Sequence, residues 1–174
     1  TININTSFWY NPELNYKIYM LPGILVILVT LIGMFLAALN LVREKELGTA
    51  EQINVTPIGK FQFILGKLFP FWLLGLVLLS VGLIIAKLLF NIPIIGSLFV
   101  MYLFTSVYIL VVLGIGLFIS NFTDTQQQAM FIAWFFMVIF ILMSGLFTPI
   151  ESMPLWAQYF TEFNPIKYFV EVMR

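Results

Sequence analysis

The chain reads as four long apolar runs set between shorter polar ones, over residues 20–41, 68–90, 98–119 and 129–147. Each run is apolar all round, as a helix is when lipid or other helices meet it on every side. A hydrocarbon core about 30 Å thick takes roughly 20 helical residues to cross, so each run is predicted to span a membrane. The fourth holds Phe131, Ile132, Phe135, Phe136, Val138, Ile139 and Phe140. At about −0.3 to −0.6 kcal/mol for each such residue, its insertion is favourable by several kcal/mol. Lys87 falls near the end of the second run, where its ammonium can snorkel to the interface. The connections 91–97 (NIPIIGS) and 120–128 (SNFTDTQQQ) are short, so runs two to four form an antiparallel up-and-down series. Trp9, Tyr10, Tyr16 and Tyr19, ahead of the first run, suit an interfacial belt. The expected fold class is all-α integral membrane.

Composition agrees. Hydrophobic residues make up 61% of the chain and charged residues 9%, against about 25% charged in a soluble domain. Mean hydropathy is +1.04. A soluble fold of this size has no interior large enough for so much apolar surface. Net charge is zero, so nothing attracts nucleic acid. With no His and no Cys, zinc sites, thiolate nucleophiles, disulfides and a Ser-His-Asp triad are excluded. The chain starts without a Met and stops just after a helix-like stretch, and is expected to be a piece of a longer protein.

Most of the charge lies in 42–67 and 148–174. Within 42–67, Thr49 followed by Gln52 is a capping-box pattern, and Thr56 with Pro57 reads as an N-cap and first helical position. Ile58, Phe61, Ile64 and Leu65 recur at helical spacing. Two short helical pieces near the membrane surface are expected before the chain re-enters. Spacing alone leaves two readings open, a solvated loop with an interfacial helix and a docking element for a soluble partner. Arg43, Lys45, Lys60 and Lys67 share the side of 42–67, while Lys17, Lys87, Lys167 and Arg174 lie opposite. The last two stand far from any run and carry less weight, which places 42–67 in the cytoplasm. Gly66-Lys67 is followed by Leu68 rather than Ser or Thr, so it is no phosphate-binding loop. No cofactor is expected on this chain.

In 148–174, Pro149 and Pro154 are expected to break the helix as it leaves the fourth run. Residues 155–163 (LWAQYFTEF) are amphipathic and aromatic, as an interfacial anchor or a partly re-entrant element would be. Within the runs, Thr30, Asn40, Ser80, Thr105, Ser106 and Ser144 are polar exceptions, expected to bond to helix backbone or neighbouring helices. Gly75, Gly82, Gly114 and Gly116 suit close helix packing. The Met- and Phe-rich fourth run, with Met130, Phe135, Phe136, Met137 and Met143, suits either an adaptable apolar path or a lipid-facing surface.

Arg43-Glu44, Gly48-Thr49, Glu51-Gln52, Val55-Thr56-Pro57-Ile58 and Gly66-Lys67 resemble the cytoplasmic loop of bacterial ABC-2 type permeases. Trp9 to Glu13 (WYNPE) and Leu21-Pro22-Gly23 resemble that family's approach to its second membrane helix. Gly145 to Pro154 and Asn164 to Arg174 resemble its segment between helices five and six. The resemblance implies a six-helix permease of which the four runs are helices two to five. It also implies a second permease half, homo- or heterodimeric, and a cytoplasmic ABC ATPase that binds ATP-Mg and docks on the loop. By the resemblance, Arg43, Glu44, Glu46, Gly48, Thr49, Glu51, Gln52, Thr56 and Pro57 would form the coupling element. Pro149, Glu151, Pro154, Asn164 and Pro165 would shape an outer gate, with Thr30, Met34, Phe136 and Met137 on the substrate path. The expected function is ATP-driven export of a hydrophobic or amphipathic substrate by alternating access, in a bacterial plasma (inner) membrane. A non-transporting membrane scaffold remains an alternative. A membrane-embedded enzyme would need polar groups converging inside the runs, and none is evident.

Overall fold

The computed structural model describes residues 16–48, 59–90 and 96–173. Among them the chain is helical, with no strand. Helix α1 runs Tyr16–Glu46, α2 Lys60–Phe90, α3 Leu98–Asn121 and α4 Gln126–Leu142. A 3₁₀ turn, Ile150–Ser152, precedes two short helices, α5 at Leu155–Thr161 and α6 at Pro165–Met173. Three helices are long and apolar enough to cross a membrane, and α4 is a shorter apolar helix of 17 residues.

The region 42–67 departs from the expected loop. Residues 42–46 are the last turn of α1, and 60–67 are the first turns of α2, continuous with its apolar part. Arg, Glu and Lys are good helix formers, and Arg43 and Lys45 in the last turn complement the helix dipole. Helix α1 stops at Gly48, whose φ of 69 suits a residue without Cβ. Its N–H donates to the Lys45 carbonyl at 3.1 Å. Phe61, Ile64 and Leu65 therefore belong to the long helix α2 rather than to a separate surface piece. Thr49, Glu51, Gln52, Thr56, Pro57 and Ile58 lie outside the described residues, as do Trp9 and Tyr10.

The fourth span also ends earlier than expected, at Leu142 rather than Phe147. Pro149 is not the breaker, since the chain has already turned through Gly145, at φ 79. The prolines act further along the chain. Pro149 precedes the 3₁₀ turn and Pro154 the first residue of α5, both in extended backbone.

Helix α1 is the hub of the bundle, touching α2, α3, α4 and α6. It lies parallel to α3 and antiparallel to α2 and α4. The α1–α3 pair approaches closely at Gly116, where an added Cβ would sit 2.7 Å from Ala37 Cβ and 2.9 Å from the Met34 carbonyl oxygen. Small residues allow such backbone approach, and close packing replaces the hydrophobic drive that lipid does not provide. Gly75 faces Ile109 and Gly82 faces Leu25 in the same way, whereas Gly114 faces open space. Most of α2 is turned outward, with Leu73, Leu74, Val77 and Leu88 exposed.

Candidate functional site at the two ends of the bundle

Of the polar side chains inside the bundle, Thr30, Ser80 and Thr105 are internally satisfied, whereas the half-buried Asn40 and Ser106 side chains show no such bond among the described residues. Thr30 donates to the Val26 carbonyl at 2.7 Å, so the Tyr108 hydroxyl donates to Thr30. Ser80 donates to the Leu76 carbonyl at 2.9 Å and accepts from Tyr102 at 2.7 Å. Thr105 donates to the Met101 carbonyl. The threonine and serine hydroxyls bond backbone within their own helices, and the two tyrosine hydroxyls add interhelical bonds, as expected in apolar helices. Thr30, Met34 and Met137 are all buried in the packed bundle. A substrate would reach them only after the helices part. Phe136 is half-buried and lines a cavity of about 320 Å³ with Phe118, Ile119, Phe122 and Ile132, between α3 and α4. A groove of about 380 Å³ over Phe35, Met130, Phe131 and Trp134 is apolar and faces outward from α1 and α4.

At the end where α1 leaves the bundle, its last turn is polar, and three of its charged side chains meet other helices. The Glu44 carboxylate pairs with Lys67 of α2. The Lys45 ammonium donates to the carbonyls of Ser120 and Thr123, the latter at 3.2 Å. The exposed Glu46 carboxylate accepts from the Gln126 backbone N–H at 2.7 Å and from the Gln126 side-chain amide. Those bonds, the side-chain one first, hold the Glu46 carboxyl below the usual carboxylate range. Its folded pKa is depressed, so the contact is made at neutral pH and is lost only as pH falls through that lowered value. Arg43 is exposed. Of the charged residues expected to form the coupling element, Glu44 and Glu46, both among the described residues, are turned to partners within the chain.

Helix α4 begins beside this cluster. Thr125 accepts from the Gln128 N–H at 3.3 Å, and the Gln128 side chain accepts from the Asp124 N–H at 3.2 Å. Thr-x-x-Gln is the capping-box signature, present here in the sequence as plainly as at Thr49. Lys45 and Gln126 carried no such mark. Their partners are 75 to 80 residues away, and no local pattern points to them.

At the opposite end, α4 stops among apolar side chains, where its last four carbonyls have no helical partner and lipid offers none. Each finds a donor. The Ile139 carbonyl accepts from the Met143 N–H at 2.9 Å, and that of Ile141 from the Ser144 hydroxyl at 2.6 Å. The Leu142 carbonyl accepts from Thr148 at 3.4 Å, and that of Phe140 from the Asn164 amide at 2.7 Å. Asn164, buried, also accepts from the Ile166 N–H at 3.0 Å, which makes it the N-cap of α6 with Pro165 at the first helical position. One side chain thus closes α4 and opens α6.

From there α6 packs back against α1 and α3. Ile166, Phe169 and Val170 are buried, and the Phe169 ring lies 4.3 Å from Tyr108 and 6.1 Å from Phe104. Since Tyr108 bonds Thr30, near the middle of α1, the segment returns into the bundle rather than resting on its rim. Leu146, following Gly145, seats against Gly23 of α1, where any Cβ would collide with it. Pro149, Glu151 and Pro154 are exposed on the connecting stretch. The Glu151 carbonyl accepts from Gln158 at 3.5 Å, and Glu162 is exposed as well. Of the five expected gate residues, Asn164 and Pro165 are the two packed into the bundle.

Replacing Asn164 with Ala removes a cap, worth about 0.5–2 kcal/mol, and orphans a buried carbonyl at a further ~1–3 kcal/mol. The expected result is a lower thermal midpoint for the full-length protein in detergent. Asn164→Asp keeps the cap acceptor but sets a carboxylate against the Phe140 carbonyl in a buried site, and is expected to lower the midpoint at least as far as Ala does.

An all-helical apolar bundle with a polar end and a returning segment is the architecture of a polytopic membrane domain. Residues 1–174 match the family described as ABC-2 family transporter protein. The chain belongs to that family. It is 36% identical over 166 residues to "Probable multidrug ABC transporter permease YbhR" of Escherichia coli (strain K12), covering 95% of this chain and 45% of that protein. It is 32% identical over 174 residues to "Probable multidrug ABC transporter permease YbhS" of the same organism, covering 99% and 46%. "Inner membrane transport permease YhhJ", also from Escherichia coli (strain K12), is 27% identical over 177 residues, covering 98% and 46%. The chain spans about half the length of these curated relatives. No solved structure matches it significantly.

Proposed function

We propose that this chain is the membrane-embedded part of a permease half in an ATP-driven exporter. It works in a dimer and takes its energy from a separate cytoplasmic ABC ATPase that binds the ATP-Mg. The observation that carries the reading is where the charge sits. In a chain with 9% charged residues, Arg43, Glu44, Lys45, Glu46 and Lys67 gather at one end of the bundle, beside the 47–59 connection. That end is cytoplasmic in this reading, and 49–57 forms the docking surface, with Thr49, Glu51, Gln52, Thr56 and Pro57 as its main groups. Gly48 ends α1 where that connection begins, and Arg43 stands exposed nearby. The cargo is hydrophobic or amphipathic, because the grooves between helices are lined by Phe, Met, Leu and Trp. Two relatives named as probable multidrug permeases support that class. Alternating access would tilt α1 and α4 across the dimer interface, with the half-buried Phe136 beside the path. Thr30, Met34 and Met137, buried within this chain, would join it only as the chain's own helices part, while α6 and the 143–164 stretch close the other end.

The test uses the full-length permease with its ATPase in liposomes. Thr49→Ala is expected to loosen the docking element by about 0.5–2 kcal/mol, if it is the cap its sequence suggests. Glu51→Lys is expected to weaken ATPase binding by setting like charge against a partner surface that complements the native carboxylate. ATPase binding and ATP-dependent uptake of ethidium and of a fluorescent phospholipid are measured side by side. If both variants bind the ATPase and turn over as wild type does, 49–57 is a solvated loop and the coupling role falls.

A further inference from the structure

Glu44, Lys45 and Glu46 are consecutive, so their side chains leave α1 about 100° apart. Each reaches a different helix. Glu44 pairs with Lys67 of α2, Lys45 binds carbonyls at the end of α3, and Glu46 binds the first residue of α4. The charges match what they meet. An ammonium faces the carbonyl end of α3, a carboxylate faces the N–H end of α4, and each is the sign the helix dipole favours there.

We infer that this turn is a distributor, which carries displacement of the 47–59 connection to α2, α3 and α4 together, with Lys45 as the positioning residue that holds α3 to it. This rests on the transporter reading above. The 47–59 connection is covalently joined only to α1 and α2. Helices α3 and α4 are joined to each other by 122–125 and have no such link to it. Lys45 and Glu46 supply the link, since both grip the stretch from Ser120 to Gln126. A push on the connection thereby becomes a concerted movement of the bundle end rather than a tilt of one hairpin.

The test is done on the full-length permease with its ATPase in liposomes, nucleotide-free and with ATP plus vanadate. Spin labels at Leu47 and Gln127, both exposed, report by dipolar broadening whether the end of α1 and the start of α4 keep their separation. In wild type the broadening is expected to be the same in both states. Lys45→Met removes the cation while keeping much of the side chain's length. Gln126→Glu sets a carboxylate against Glu46 yet still suits the start of α4, where negative charge is favoured. In both variants the broadening is expected to change when nucleotide is trapped, and Lys45→Arg is expected to restore the fixed separation. Thermal midpoints are measured alongside, because a plain structural cap would lower the midpoint without making the separation depend on nucleotide.

A separation that changes with nucleotide in wild type overturns the inference. So does one that stays fixed in Gln126→Glu and Lys45→Met alike. If Lys45→Met fails to accumulate, Gln126→Glu alone decides. Failure of the wild-type permease to bind any ABC ATPase overturns the transporter reading, and the distributor with it.

Discussion

Gly116→Leu is expected to be among the most damaging single substitutions in the chain, and even Gly116→Ala is expected to be harmful. At Gly116 the contacts of a new Cβ are with Ala37 Cβ at 2.7 Å, the Met34 carbonyl oxygen at 2.9 Å and the Ala38 nitrogen at 3.2 Å. Two of those are backbone atoms of α1 and cannot rotate away. The helices must separate, and the α1–α3 contact is the most extensive in the bundle. Overpacking of this kind costs about 1–3 kcal/mol, and occasionally more, which outweighs the ~1 kcal/mol that Ala gains over Gly in helix propensity. Leu adds three further carbons to the same gap. The control is Gly114→Ala, two residues away on the same helix, where nothing lies within 4 Å. It is expected to be neutral or slightly stabilising. Thermal unfolding of the full-length variants in detergent separates the two. A Gly116→Leu midpoint equal to wild type would mean that the close α1–α3 approach is not what holds the bundle.

Phe169→Ala is expected to release α6 from the bundle. The ring is fully buried and stacks at a tilt on Tyr108, whose hydroxyl is bound to Thr30. Phe-to-Ala truncation in a protein core costs about 3–5 kcal/mol. In a bilayer the alternative surroundings are lipid rather than water, so the lost packing dominates and about 2–4 kcal/mol is expected. The cost falls on one short helix of nine residues, anchored at its start by Asn164. The expected result is faster proteolysis within 143–173 while the longer helices stay protected. If that stretch closes one end of a transport path, ATP-independent leak of ethidium should rise as well. Val172→Ala, on the exposed side of α6, is expected to change stability by no more than about 0.5 kcal/mol. Equal protease sensitivity for the two variants would remove Phe169 as the anchor.

Much of the architecture was legible because the relevant signals are local. An apolar run of helical length needs no partner to be recognised. Other local signals stand in the sequence as plainly but formed no part of the expectation: the helix-forming run that carries α1 through Glu46 to Gly48, the capping box at Thr125 and Gln128, and the Asn164-Pro165 start of α6. The end of α4 is not legible in this way. Leu146 and Phe147 are apolar, and composition does not distinguish a residue that continues a helix from one that folds back onto Gly23.

By itself the sequence determined that the chain is helical, membrane-embedded and free of thiol and imidazole chemistry, and it pointed to the family. These conclusions come from side-chain type and spacing, which act within a turn or two of the residue concerned. Only the tertiary structure decided which helices lie side by side and what each polar group meets. Thr30 and Tyr108 stand 78 residues apart, Glu46 and Gln126 80, and Tyr19 and Leu146 127. Nothing local specifies such pairs. In lipid, where apolar surface alone does not choose a partner, they are selected by shape at small residues such as Gly116 and by the need to satisfy each buried donor and acceptor.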